Sequence, residues 1–176
     1  MTLPWTSPKK VFSLRTLLDS PMRREFRFKP IGFIRSPYKR VEEVPRDCSS
    51  TLGEVVVEEY EEGLRDIEGF SHLVILWVFH RSRGGSLVVK PLHYEGLKGV
   101  FATRHPDRPN PIALTIVELI ERRGNTLRVR GVDASPLLDI KPYTHRDRVK
   151  RLRAGWIDEV GDHPYGLRRE DPRGTW

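Results

Sequence analysis

Apolar residues recur at every second position through much of the middle of the chain, and the runs are short. From Ile31, "IGFIRSPY" predicts a brief strand that stops at a Ser-Pro turn. "GEVVVEEY" (53–60) is β-branched and short, and "LKGVFA" (97–102) predicts another strand. "HLVILWVFH" (72–80) is continuously apolar, which predicts a strand buried on both faces. "IALTIVELIE" (112–121) and "NTLRVRGV" (125–132) flank Arg123-Gly124-Asn125, a hairpin signal. In the second arm Leu127 and Val129 alternate with Arg128 and Arg130, so one face is wet. "LLDIKPY" (137–143) closes the series. Only "EEGLRDIEGF" (61–70) breaks the period, as about two helical turns with Leu64 and Ile67 on one side. Short strands at regular spacing with little helix predict an all-β fold, a barrel or a sandwich.

The ends read differently. Residues 1–28 contain Pro4, Pro8 and Pro21 with no sustained periodicity, and are expected to be an extension. Residues 29–143 form the β domain, and residues 144–176 a basic tail. In that tail "HRDRVKRLRAGW" sets Val149, Leu152 and Trp156 at helical spacing among Arg148, Lys150, Arg151 and Arg153. It is expected to be a docking helix with a solvated basic face, or a helix facing nucleic acid.

Charge follows the same division. The 176 residues carry a formal net charge of +7. Residues 1–29 hold seven Lys/Arg against two Asp/Glu, residues 30–143 hold sixteen of each, and residues 144–176 hold eight against six. A neutral body with basic ends fits either a polyanionic partner or solubilising tails. The single cysteine, Cys48, excludes an internal disulfide and a multi-cysteine zinc site, and points to a cytoplasmic setting. The sequence shows neither a membrane-spanning apolar run nor a secretory leader.

Several chemistries lack their residues. There is no G-x-G-x-x-G and no Walker loop to cradle phosphates, and no G-x-S-x-G elbow. The six histidines form no H-x-H or H-E-x-x-H pair, so no metal site is expected.

The densest candidate is "ATRHPDRPNPIAL" (102–114). Pro106, Pro109 and Pro111 fix φ and remove backbone donors, and His105, Arg108 and Asn110 precede them and are pushed toward extended geometry. Side chains on such a segment are held at set angles, which suits a small-ligand site. Arg104 and Arg108 offer planar forks for a carboxylate or phosphate, or else cap strand ends. A second cluster is "VDASPLLDIKPY" (132–143), with Asp133, Asp139, Lys141 and Tyr143. Alternation places Asp139 on the face opposite Leu138 and Ile140. A third is the charged loop "SPYKRVEEVPRD" (36–47).

Taken together, "IGFIRSPYKRVEEVPR", "GFSHLVILWVFH…GVFATRHPDRPNPIALTIVEL" and "LLDIKPY" resemble the TsaA/TrmO family over about Ile31 to Tyr143. The resemblance implies a small antiparallel β-barrel that binds S-adenosylmethionine without a glycine-rich cradle. It implies a homodimer and N6-methylation of threonylcarbamoyladenosine at position 37 of tRNA. Carried over by position, the cofactor is contacted by Cys48, Ser49 and Ser50, by His80 and Arg81, by Arg104 and Leu114, and by Gly131, Val132 and Asp133. Leu114 would supply an apolar floor and the prolines would set the angle of Arg104. Two departures stand out: "GVDASP" is about three residues shorter than the usual segment, and Ala113 replaces the usual glycine.

Methyl transfer to a ureido-substituted nitrogen calls for positioning and for a base or acceptor, with Asp133, Asp139 and Tyr143 as candidates. Competing readings are an RNA-binding β-barrel without catalysis and a methyltransferase with another substrate.

Overall fold

The structure, a computed structural model, describes residues 26–38, 50–91, 94–132 and 135–158. The strands there are, in chain order, β1 Gly32–Arg35, β2 Leu52–Val57, β3 His72–Val78, β4 Val88–Val89, β5 Lys98–Gly99, β6 Ile112–Arg123, β7 Thr126–Arg130 and β8 Pro136–Pro142. Six of them close an antiparallel barrel in the order β1-β2-β7-β6-β3-β8, with β8 returning to β1. The strands β4 and β5 pair as a separate two-stranded ribbon.

The alternation read from the sequence is what closes the barrel. Leu127 and Val129 of β7 point inward and are fully buried, while Arg128 and Arg130 point out. Leu73 and Ile75 of β3 and Val117 of β6 meet them, with Val55 and Leu137 from the remaining wall. Burying each such side chain contributes about 1.5–3 kcal/mol. Two bulges bend the sheet: the register slips at Ile120 of β6 and at Leu138 of β8. An extra residue increases local twist, which a six-stranded closure needs. Between β6 and β7 the two-residue loop requires a positive φ at Gly124, 59°.

Register defines two ends. At the loop end lie Arg35, Leu52, Val78, Ile112 and Arg130, each at the last paired position of its strand. The connections β1–β2, β3–β6 and β7–β8 all emerge there. At the hairpin end lie the β6–β7 turn and the segment between β2 and β3. Arg122 tucks under that segment, donating to the Leu64 carbonyl (2.9 Å) and pairing with Glu68 (3.2 Å).

Three expectations are corrected, and the two turns expected over 61–70 are found as 3-10 turns. β3 is not buried on both faces: Val74 and Leu76 on its outer side are half-buried, because no element among the described residues packs over the barrel there. Only Lys98–Gly99 of residues 97–102 is strand. Val100–Ala102 turns as a 3-10 helix that seats the buried Val100. Residues 61–70 make two 3-10 turns, Glu61–Leu64 and Ile67–Gly69, broken by Asp66 at φ 65°. Leu64 and Ile67 still pack on the core. Residues 145–156 are not a basic helix. Among the described residues the tail holds only single turns at His145–Asp147 and Gly155–Ile157, and Val149 and Leu152 are 69% and 73% exposed. A short helix that buries no apolar face has nothing to stabilise it. The proposed extension over 1–28 lies almost entirely outside the described residues.

Candidate functional site

The topology draws residues from separate stretches of sequence to the loop end. Ser50 sits in the turn entering β2. The next residue, Thr51, is buried; its carbonyl accepts from the Gly131 amide (2.8 Å) and its hydroxyl shares a hydrogen bond with the Tyr38 hydroxyl (3.1 Å). Ser50 and Gly131 are thereby held close. Gly131 adopts φ 101°, a conformation that side chains resist. Val132 is buried in the core, so its backbone and not its side chain is available at this end. A Cβ on Gly53 would run into Val132 and the Arg35 carbonyl, which is why a glycine stands there.

Past β3 the chain turns sharply. Phe79 donates its amide to the Pro111 carbonyl (2.9 Å) and Ser82 to the Phe79 carbonyl (2.9 Å). His80 and Arg81 therefore project from the base of the proline loop, both exposed.

The proline loop is organised by two side chains. The Arg108 guanidinium donates to the carbonyls of Val100 (2.9 Å), Thr103 (2.7 Å) and His105 (3.2 Å). Asp107 accepts from the Ser82 hydroxyl (2.7 Å) and the Arg83 amide (3.2 Å). The Ser82 bond holds the Asp107 carboxyl below its ordinary range against slight desolvation, with the Arg83 amide, His105 and the Gly84 amide adding to it. The His105 Nδ1 accepts from the Asp107 amide (3.1 Å), which puts the proton of a neutral ring on Nε2. Arg108 is thus consumed by backbone, whereas Arg104 is exposed and has no partner among the described residues.

Leu114 stands on the outer face of β6, paired with Leu76 and 44% exposed. It forms part of an outside wall and not the barrel's interior floor. Trp77 fills the interior position at this end. It packs against the core, donates its indole N–H to the Thr115 hydroxyl (3.0 Å) and meets Phe79 edge-on at 4.6 Å. Neither Trp77 nor Tyr38 stands out in the sequence as a candidate. The signal for Trp77 is its place on the inward phase of β3, two residues after Ile75.

The remaining candidates lie elsewhere. Asp139 faces outward near the middle of β8, ion-paired with Lys141 (2.6 Å) and accepting its neighbour's amide from Ile140 (2.9 Å). The bulge at Leu138 alters the expected alternation. Leu137 and Ile140 face the core, and Leu138 does not share the inner side with Ile140. Tyr143 is at the hairpin end, its amide donating to the His72 carbonyl (3.1 Å) and its ring edge-on to His72. Cys48, Ser49 and Asp133 lie outside the described residues. Among the described residues no three His, Cys, Asp or Glu side chains converge as a metal site. A charged depression of about 390 Å³ at the hairpin end is lined by Glu61, Glu62, Arg65 and Arg122, none of them a predicted site residue.

Residues 33–147 match a family described as the tRNA-methyltransferase O N-terminal domain. The chain is 46% identical over 154 residues to a probable S-adenosyl-L-methionine-binding protein of Pyrococcus abyssi, covering 83% of each. It is 42% identical over 135 residues to the tRNA (adenine(37)-N6)-methyltransferase of Escherichia coli, covering 67% of this chain and 57% of that enzyme. A crystal structure of TrmO superposes with a TM-score of 0.63 at 33% identity, over 75% of this chain and 64% of that one. The chain therefore spans less than two thirds of either of the last two.

Proposed function

From the premise that this chain belongs to the tRNA-methyltransferase O N-terminal domain family, we propose that it methylates N6 of adenosine 37 in tRNA with S-adenosylmethionine. In its finer form the substrate is threonylcarbamoyladenosine, the protein acts as a homodimer, and it works in the cytoplasm. The observation that supports the reading is that the candidates' connections share the loop end. Ser50, His80, Arg81, Arg104 and Gly131 come from three connections that the barrel closure brings to one side.

The donor set there fits the cofactor. Arg104, left without a partner among the described residues, suits the methionine carboxylate. Gly131 at φ 101° leaves its backbone open to close approach. Leu114 supplies apolar wall on the outer side. Trp77, partly buried against the core, lies inside the barrel at this end. When bound, S-adenosylmethionine supplies an electrophilic methyl group. The protein's part is to hold acceptor and donor in line and to accept a hydrogen bond from the attacking N–H. Of the three candidate acceptors, Asp133, three residues past β7, is the one we retain, because Asp139 is paired with Lys141 on the outer face and Tyr143 lies at the hairpin end.

The outer face of β6 supports self-association. Ile112, Leu114 and Ile116 are 38%, 44% and 47% exposed in a row, flanked by half-buried Val74 and Leu76. Such a stripe is costly to leave in water. Leu114 lies on it, so a partner copy would close the outer wall of the site. No helix among the described residues is long and apolar enough to cross a membrane.

Calorimetry tests the site. Wild-type protein is expected to bind S-adenosylmethionine, and Arg104→Ala to bind it at least tenfold more weakly, since a charge-assisted hydrogen bond contributes about 1.5–3 kcal/mol. Equal affinity of the two proteins would remove Arg104 from the site.

A further inference from the structure

The segment after β8 carries charge of a different kind from the barrel's. Residues 144–158 hold five cations, Arg146, Arg148, Lys150, Arg151 and Arg153, against two carboxylates, Asp147 and Asp158. Both carboxylates are engaged by backbone. Asp147 accepts from the Thr144 amide (2.7 Å) and hydroxyl (2.8 Å), and Asp158 accepts from the Ala154 amide (2.8 Å). Among the described residues none of the five cations has a partner. On the barrel the pattern is the reverse: Arg35 pairs with Glu54, Arg122 with Glu68, Arg128 with Glu121 and Arg130 with Glu118. Paired charges cancel at a distance, whereas residues 146–153, with five cations against Asp147 alone, project a net positive field.

The segment is pinned at both ends. It leaves β8 at the hairpin end, where Tyr143 bonds to His72 and Thr144 and Asp147 form a capping box. At its other end the Trp156 indole packs on Tyr94 (5.2 Å between ring centres) and donates to the Ala102 carbonyl (2.9 Å). Lys98 lies 4.4 Å from the Tyr94 ring and 5.7 Å from that of Trp156. Turns at Arg151 (φ 56°) and Gly155 (φ 62°) aim Trp156 at this ribbon. Ala102 precedes Arg104 by two residues, so the latch joins the basic segment to the candidate site.

We propose that residues 144–158 form a latched strap that grips the phosphate backbone of the tRNA substrate, with Trp156 aligning it to the loop end. The inference rests on the methyltransferase reading above. Four of the five cations are arginines, whose planar forks match phosphate oxygens. A membrane surface would call for an amphipathic helix, and this segment lacks one, so Val149 and Leu152 share no apolar face with its other residues.

The test uses the full chain and measures tRNA binding across a salt series, with S-adenosylmethionine calorimetry alongside. The combined variant Arg148→Gln, Lys150→Gln, Arg151→Gln, Arg153→Gln is expected to weaken tRNA binding more than tenfold. It should also reduce the slope of log K against log salt by about 3, at about 0.7–0.9 for each phosphate no longer neutralised. Cofactor affinity should stay within twofold. Trp156→Ala, with every charge kept, is expected to weaken tRNA binding several-fold, and Trp156→Phe to recover part of it through the retained ring stack. A wild-type slope and affinity in the charge variant, while wild-type protein binds and methylates tRNA, overturns the strap alone. Wild-type protein that neither binds nor methylates tRNA overturns the functional reading and the strap with it. Binding to phosphatidylserine vesicles that the charge variant loses, with tRNA binding unchanged, overturns the strap in favour of a membrane-facing role.

Discussion

Arg104 and Arg108 stand four positions apart in one loop, and the fold gives them opposite work. Both read from the sequence as forks for an anion. Arg108 instead closes on three carbonyls, a use invisible in the sequence because it depends on where Val100 and Thr103 turn. Arg108→Ala is therefore expected to cost about 1–3 kcal/mol of stability in denaturant unfolding by leaving part-buried carbonyls unmet. Arg104→Ala should stay within about 0.5 kcal/mol, as exposed substitutions do. Asp107 adds a pH dependence. Its carboxyl titrates below the ordinary value when folded, so its contribution is complete above about pH 4, the unfolded value, and is lost as the pH falls through the lower folded value. Asp107→Asn should flatten that acid limb of a stability-against-pH curve; an unchanged limb would show that the Ser82 bond does not order the loop.

At the scale of elements, periodicity was legible wherever a strand has one wet face. Leu127 and Val129 against Arg128 and Arg130 define β7 and its phase without further help. It was illegible where an extra residue enters. The bulge at Leu138 separates Leu138 from Ile140, and nothing in "LLDIKPY" marks it. β4 escaped, and β5 was read too long, for a related reason: two residues per strand carry no period. The tail's helical spacing misled because spacing stabilises a helix only if its apolar face finds a surface, and Val149 and Leu152 find none. The apolar stripe on β6 carries its own prediction. Ile116→Glu should leave the fold of the protomer intact, and sedimentation is expected to show wild type as a dimer and the variant as a monomer. Dimer retained at micromolar concentration would place self-association elsewhere.

For the whole molecule, the ordered motifs pointed to the barrel and the family, while placement of the candidates required closure. Ser50, His80, Arg104 and Gly131 are far apart in sequence and fall on connections at one end only because β1, β2, β3, β6, β7 and β8 join in a ring. The same ring sends Tyr143 to the opposite end, which no local pattern foretold. Charge shows a similar division among the described residues: paired charges cover the barrel strands, and cations without a partner stand in the loop-end connection and along residues 146–153. The central claim is that this barrel transfers a methyl group to adenosine 37 of tRNA. Its most direct test is mass spectrometry of nucleosides from threonylcarbamoyladenosine-containing tRNA, after incubation with the protein and S-adenosylmethionine. The account predicts conversion of threonylcarbamoyladenosine to its N6-methylated form, reduced in Arg104→Ala. Bound cofactor and bound tRNA with no methylated nucleoside would contradict it.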